Sequence, residues 1–167
     1  MLTFEPHPRD FFASRAGQRQ TAPARIGTLR DKLTDLANCG VDQTVVLPFG
    51  ARLAGQAAQD FIDTVLVDGL RARYVLVGDD FRFGVSRSGD YAILDAAGGA
   101  RGFDVARMNS YEVHGLRVSS SAVRGALADG RMDDVARLLG RPYRVSGHVE
   151  FRRVLFRSLR GAGSRPA

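Results

Sequence analysis

The chain has 167 residues, of which 44% are hydrophobic and 25% charged, a composition typical of a soluble globular domain with a real core. The formal net charge of +6 comes mostly from residues 151–167, which hold five arginines and no acid and leave residues 1–150 with 19 basic and 18 acidic side chains. A nearly neutral body argues against nucleic acid as a partner, and the sequence has neither an 18-residue apolar run nor a secretory signal pattern. The single cysteine, Cys39, has no internal disulfide partner, so we expect a buried thiol in a cytoplasmic protein.

Helical and strand patterns alternate along the chain. Residues 10–27 lack a clear period and are predicted to be mostly loop. A helix then begins after a Thr28 cap and ends at Gly40, and the apolar run 43–49 predicts a strand covered on both faces. The further predicted elements are a helix over 57–66 with Ala58, Phe61, Ile62 and Val65 on one stripe, strands over 74–77 and 104–108, a helix over 90–97, a strand end over 115–118, and helices over 121–127 and 132–139.

This alternation predicts an α/β fold with a doubly wound parallel sheet, because the spacings suit right-handed crossovers. In such sheets ligands bind beyond the carboxyl ends of the strands, near the point where strand order reverses. The motifs that follow predicted strands are therefore the places to search for a site.

The first such motif is GDDFRFG, residues 78–84, directly after a predicted strand. Its glycines would let backbone approach a ligand, Asp79 and Asp80 could accept hydrogen bonds, and Phe81 and Phe83 offer flat apolar faces. The alternative is a tight turn whose phenylalanines belong to the core.

The second motif is VSSSAVR, at a strand-to-helix junction. Residues 119–121 precede the first turn of a helix, where free amides and the helix dipole favour an anion, and Arg124 adds a guanidinium for phosphate oxygens. The alternative is that one serine is an N-cap and Arg124 a solvated side chain.

The third motif is LTFEPHP, residues 2–8, in which two prolines would hold His7 in a rigid loop. A single histidine is more often structural than a ligand contact. His114 and His148 have no partners at metal-ligand spacing, so no protein-built metal site is predicted. The sequence also has neither a P-loop nor a nucleophile elbow.

Taken in order, LTFEPHP, TLRDKLTDLANCGVD, VVLPF, VGDDFRFG, RVSSSAVRGAL and LLGRPYRVSGHV resemble the bacterial bifunctional riboflavin kinase/FAD synthetase family over roughly residues 2–149. The resemblance implies the Rossmann-like fold of the nucleotidylyltransferase superfamily. It also implies transfer of AMP from ATP to FMN, giving FAD and pyrophosphate, with Mg²⁺.

The resemblance carries functional roles onto specific positions. Ser120 and Arg124 are the expected catalytic residues. The expected ATP-binding residues are Ser119, Ser120, Ser121, Arg124, Arg117 and Asp80, and those near the flavin are Phe4, Pro6, His7 and Phe83.

This sequence departs from the family pattern in two ways. It has no glycine-phenylalanine-aspartate-glycine-valine-histidine segment, so we expect the first strand of the sheet to be missing and FAD formation to be poor or absent. After LLGRPYRVSGHV it also has no proline-threonine-alanine-asparagine segment of the kinase module. The expected domains are therefore the adenylyltransferase over 1–140, the start of the riboflavin kinase module over 141–150, and a non-native or disordered tail over 151–167.

Two alternatives to FMN adenylylation remain. One is adenylyl transfer to another acceptor, such as nicotinamide mononucleotide or phosphopantetheine. The other is a non-catalytic fragment that binds flavin or nucleotide, which the missing histidine segment favours. In each case the expected partners are small molecules, and the oligomeric state is left open.

Overall fold

The structure is a computed structural model that describes residues 1–18, 20, 22–113 and 115–147. His114, His148 and the predicted tail 151–167 lie outside the described residues. The strands are β1 (Leu2–Glu5), β2 (Val45–Pro48), β3 (Tyr74–Gly78), β4 (Asp104–Met108), β5 (Glu112–Val113) and β6 (Leu116–Arg117). The helices are α1 (Pro8–Arg15), α2 (Leu29–Asn38), α3 (Ala51–Ala54), α4 (Ala58–Phe61) with its π-helical continuation Ile62–Gly69, α5 (Tyr91–Arg101), α6 (Ser120–Ala128) and α7 (Met132–Leu139).

The described strands pair in three two-stranded sheets. β1 runs parallel to β2 with Leu2 opposite Val45, and β3 runs parallel to β4 with Tyr74 opposite Asp104. β5 and β6 form a short antiparallel hairpin. Parallel strands joined through helices confirm the predicted α/β class. These hydrogen bonds do not join the parallel pairs into one sheet, so a continuous doubly wound sheet stays a prediction.

The larger hydrophobic core joins α4 and its π-helical continuation to β3 and α5. Ile62 and Leu94 are fully buried within it, at 0% and 1% exposure. Leu2 and Phe4 of β1 pack against the same core as Val75 of β3. Both parallel pairs therefore contribute to one apolar layer, and their carboxyl-terminal ends lead into the loops singled out by the sequence.

A second core holds α6 against α7. Val123 and Ala126 of α6 are buried with Val135 and Leu138 of α7, and Ile26 packs against them from the loop before α2. This core fixes the orientation of α6, whose N-cap and first turn contain the three serines.

Helix α2 begins with the predicted Thr28 cap, here a complete capping box. The Thr28 hydroxyl accepts from the Asp31 amide at 3.1 Å, and the Asp31 carboxylate accepts from the Thr28 amide at 2.9 Å. Ser146, over a hundred residues away in sequence, also donates its hydroxyl to Asp31. The hydrogen bond from Ser146, followed by those from Thr28, lowers the pKa of Asp31 to about 2.

The same helix holds the segment that follows α7. Arg141 and Arg144 both donate to the carboxylate of Asp35, one turn after Asp31. Together with the Ser146 contact, these ion pairs tie residues 141–146 along α2.

Two local predictions hold only in part, and a third is wrong. The predicted loop 10–27 begins with helix α1, because Pro8 presets the first turn and His7 caps it. The helix expected over 57–66 is π-helical from Ile62 to Gly69, and Leu70 donates to the carbonyl of Val65, five residues back. Cys39, expected to be buried, is exposed. No helix in the described ranges combines the length and apolar character needed to cross a bilayer.

Candidate nucleotide and flavin site

The loop GDDFRFG after β3 is held tightly by its glycines. Gly84 has a left-handed φ of 73°, and a Cβ there would lie 2.8 Å from the backbone N and Cα of Ala58. Val85 then donates to the carbonyl of Gln56 at 2.8 Å. The second glycine of the motif therefore lets the loop pass close to the start of α4, whereas the predicted approach of its backbone to a ligand stays a prediction.

Phe83 lies in the larger core rather than on an open face. Phe81 stacks on its ring at 5.3 Å, Phe61 lies against it at 5.6 Å, and the distal edge meets Gly89 closely enough that a Cβ there would lie 2.7 Å away. Phe83 is 9% exposed. This placement matches the alternative in which the loop phenylalanines belong to the core, while Phe81 remains half-buried at the surface.

The two aspartates of the loop differ in their partners. Asp79 Oδ2 accepts from the Ser110 hydroxyl at 2.7 Å and from Arg117 Nη2 at 3.3 Å. The hydrogen bond from Ser110, with the charge of Arg117, lowers the pKa of Asp79, so this carboxylate is ionised at neutral pH. Asp80 is exposed and has no side-chain partner among the described residues.

The serines lie at the start of α6, as predicted. Ser119 is the N-cap, with extended backbone, and its hydroxyl accepts from the Ala122 amide at 3.1 Å. Ser120 and Ser121 are exposed in the first turn. The capping alternative is thus correct for Ser119. The other two hydroxyls, together with the helix end, remain available to an anion.

Arg124 reaches a loop a hundred residues earlier in sequence. Its Nε donates to the Ala24 carbonyl at 2.6 Å, and within the described ranges no carboxylate pairs with its Nη atoms. Arg25, next to Ala24, bridges Glu5 at 2.8 Å and Asp10 at 2.7 Å. The loop 22–27 therefore links α6 to the end of β1.

The residues expected on the flavin side lie at this end of β1. Phe4 is half-buried and meets Phe49 edge to face at 5.7 Å, while Pro6 is exposed. His7 Nδ1 accepts from the Arg9 amide at 3.2 Å, and desolvation is the main cause that lowers its pKa. A neutral His7 in this tautomer has its proton on Nε2, where it can serve as a donor.

The site residues thus form two groups, one that ends on β6 and one on α6. Asp79 and Arg117 connect the GDDFRFG loop to the strand before the serines, and Arg124 connects α6 to the loop beside β1. Sequence reasoning missed Ser110, Ala24 and Arg25. Ser110 had no signal, because its partner Asp79 is 31 positions away and comes close only when β3 and β4 pair.

No cluster of three metal-ligating side chains occurs in the described part of the chain. Of the two loop carboxylates, Asp79 is already committed to Ser110 and Arg117. Asp80 is the one available to a cation, and a single carboxylate suits Mg²⁺ that arrives with nucleotide phosphates.

Comparison with known proteins gives the family. The sequence model of the FAD synthetase family matches residues 1–122. The chain is 44% identical over 149 residues to the bifunctional riboflavin kinase/FMN adenylyltransferase of Escherichia coli (strain K12), covering 89% of this chain and 46% of that protein. It is also 44% identical over 159 residues to the protein of the same name from Pseudomonas fluorescens, covering 95% and 49%.

The chain belongs to the FAD synthetase family. It spans about half the length of the curated relatives that it matches. Among solved structures, the crystal structure of a macrolide-efflux protein from Streptococcus pneumoniae superposes with a TM-score of 0.66 at 21% identity, over 85% of this chain and 45% of that one. At this identity the likeness concerns the fold alone.

Proposed function

We propose that the chain carries the FMN adenylyltransferase site of a bifunctional riboflavin kinase/FAD synthetase, which transfers AMP from ATP to FMN and releases pyrophosphate. The observation that carries the proposal is the Asp79–Arg117 ion pair, which links the GDDFRFG loop to the strand that runs into the VSSSAVR segment. Family membership supports the same reaction.

In this proposal the ATP phosphates lie at the start of α6. The hydroxyls of Ser120 and Ser121 and the free amides of the first turn donate to phosphate oxygens, with Ser119 holding the turn in shape. Arg124 Nη atoms and Arg117 supply positive charge where negative charge develops as pyrophosphate leaves. Ser120 and Arg124 are thus the proposed catalytic residues.

FMN is proposed to lie beside the end of β1. Phe4 and Pro6 supply apolar surface, and His7 Nε2 supplies a hydrogen-bond donor. Phe83 supports this side from within the core, because its ring is already covered by Phe81 and Phe61. Asp80 is the carboxylate proposed to face the nucleotide, and Mg²⁺ is proposed to accompany ATP there.

The parallel pairs β1–β2 and β3–β4 are proposed to belong to one Rossmann-like doubly wound sheet. Their shared core supports this arrangement, because Leu2 and Val75 pack against the same cluster of buried residues. The adenylyltransferase domain is proposed to cover residues 1–140, with residues 141–150 as the start of the kinase module. A cytoplasmic location is part of the same proposal.

One observation favours a second function, a non-catalytic fragment that binds flavin or nucleotide. Of the described residues only His7 is a histidine, and it caps α1 instead of lying in the GDDFRFG or VSSSAVR segment. A preorganised donor to a developing charge contributes roughly 3 kcal/mol, or about a hundredfold in rate. In the second function the site binds its ligands but forms no FAD.

The test separates binding from turnover. Isothermal titration of the chain with Mg²⁺ and ATP, and quenching of FMN fluorescence, should both give saturable binding. Arg124→Ala should weaken ATP binding on the order of tenfold while FMN binding is unchanged. The matched control is Arg73→Ala, an exposed residue at the opposite, amino-terminal end of β3, which should leave both unchanged.

Formation of FAD from FMN and ATP then distinguishes the two functions. Slow FAD formation with release of pyrophosphate supports the transferase, whereas binding of both ligands without pyrophosphate supports the binding fragment. Failure of the chain to bind either ATP or FMN would overturn both.

A further inference from the structure

Asp79 occupies the point where three strand ends meet. It follows β3 directly, Ser110 lies two residues beyond β4, and Arg117 ends β6. One carboxylate oxygen, Oδ2, accepts from both Ser110 and Arg117. The sequence pattern gave Asp79 only a general capacity to accept hydrogen bonds from a ligand. The structure shows that oxygen already engaged within the protein.

The Asp79–Arg117 contact contributes more to the orientation of the Arg117 side chain than to the stability of the fold. The side chains of Arg117 and Asp79 are 59% and 41% exposed, and exposed ion pairs stabilise a fold little. Ser110 fixes the carboxylate from a second direction, so the position of Arg117 Nη2 follows from the packing of β3 against β4. Only one of the five guanidinium N–H donors of Arg117 is used on Asp79, and the other four have no acceptor among the described residues.

The neighbourhood of Arg117 indicates which acceptor these donors suit. Arg117 lies two residues before Ser119, the cap of α6, and three and four residues before the exposed hydroxyls of Ser120 and Ser121. An arginine whose fork is fixed beside a helix start suits phosphate geometry. An exposed arginine with no fixed partner would instead lose side-chain entropy on each binding event.

We propose that Asp79 is a positioning residue that holds Arg117 in place for the phosphates of ATP, with Ser110 fixing the Asp79 carboxylate. This inference rests on the proposed function, since it assigns a role within the same nucleotide site. It also gives the two aspartates of the loop different roles: Asp79 acts through Arg117, and Asp80 is free to contact the ligand.

The inference predicts a change in ATP affinity opposite to the one that charge alone would give. By charge alone, Asp79→Asn should strengthen ATP binding, because it removes a negative charge near the phosphates. If Asp79 positions Arg117, the same change should instead weaken ATP binding on the order of tenfold, as expected for the loss of one charge-assisted hydrogen bond. FMN affinity should be unchanged, which a general loss of structure would not give.

The experiment is a double-mutant cycle on the purified chain, with ATP dissociation constants from isothermal titration. The variants are Asp79→Asn, Arg117→Ala and the double variant, and the control is Asp95→Asn, an exposed acid on α5. Once Arg117 is absent, Asp79→Asn should cause no further loss. Asp79→Glu, which keeps the carboxylate, should recover part of the affinity, and melting temperatures identify any variant that fails to fold.

The outcomes are distinguishable. If the unaltered chain binds no ATP, the proposed function fails and this inference fails with it. If Arg117→Ala weakens ATP binding but Asp79→Asn leaves it unchanged or strengthens it, the inference alone is overturned. An equal loss from Asp79→Asn in the presence and absence of Arg117 would also overturn it, because the two residues would then act independently.

Discussion

Replacing Gly84 by alanine tests whether the GDDFRFG loop is seated where the structure places it. Two costs add at this position. A residue with a Cβ at φ 73° pays about 1–2 kcal/mol for the left-handed conformation. The Cβ would also lie 2.8 Å from backbone atoms of Ala58, which cannot rotate away, and overpacking of this kind costs about 1–3 kcal/mol. Gly84→Ala should therefore lower the free energy of unfolding by roughly 2–5 kcal/mol.

Two other glycines separate these costs. Gly102 has a similar φ of 78° but open space around its Cβ position, so Gly102→Ala should lose only about 1–2 kcal/mol. Gly99, inside α5, also has open space and no positive φ, so Gly99→Ala should gain about 0.5–1 kcal/mol. The assay is urea unfolding followed by far-UV circular dichroism. If Gly84→Ala and Gly102→Ala cost the same, the loop does not contact α4 as described and the steric argument is refuted.

Three further predictions concern stability. The pKa of Asp31 is lowered to about 2 in the folded chain from a usual value near 3.8. The contribution of its carboxylate to the free energy of unfolding is therefore present above about pH 4 and lost as the pH falls towards 2. Asp31→Asn should flatten the acid side of a stability curve measured by chemical unfolding, and an unchanged slope would contradict the Ser146 and Thr28 contacts. Leu94→Ala, at a fully buried position, should lower the free energy of unfolding by about 2–5 kcal/mol in urea titrations, and a loss below 1 kcal/mol would argue against the larger core. Ser119→Ala removes the cap of α6 and should cost about 1 kcal/mol, whereas no loss would mean that α6 begins elsewhere.

The sequence predicted best the elements whose signals are local. Thr28 followed by Asp31 is a capping pattern, and the structure contains both of its hydrogen bonds. Strands β2 and β3 are short apolar runs, and each is found within or almost within its predicted range. Helix α1 was missed because residues 10–27 lack an apolar period, although Pro8 at the first turn was a usable start signal.

Contacts between residues distant in sequence could not be predicted in this way. Arg144 and Asp35 are 109 positions apart, and nothing in either segment indicates the other. The same holds for Arg124 and the carbonyl of Ala24. A backbone acceptor carries no residue-type signal at all, so only the three-dimensional arrangement of the second core against the loop before α2 brings these groups together.

At the site, the sequence pattern placed the motifs on the elements where the structure has them, after β3 and at the start of α6, but left the roles of their residues open. Ser119 is a helix cap, which does not exclude a phosphate at the same helix end. Phe83 lies in the core. Its spacing in the sequence could not distinguish a core position from a surface position that contacts the flavin. The spacing of residues along a helix or strand shows which side chains share a face. Whether that face is buried depends on which other elements pack against it.

A crystal structure of the chain with FMN and a non-hydrolysable ATP analogue would test the central claim most directly. The account predicts phosphate oxygens within hydrogen-bond distance of Ser120, Arg117 and Arg124, with the flavin ring beside Phe4 and His7. Phosphates bound away from the start of α6, or a flavin far from the end of β1, would contradict it.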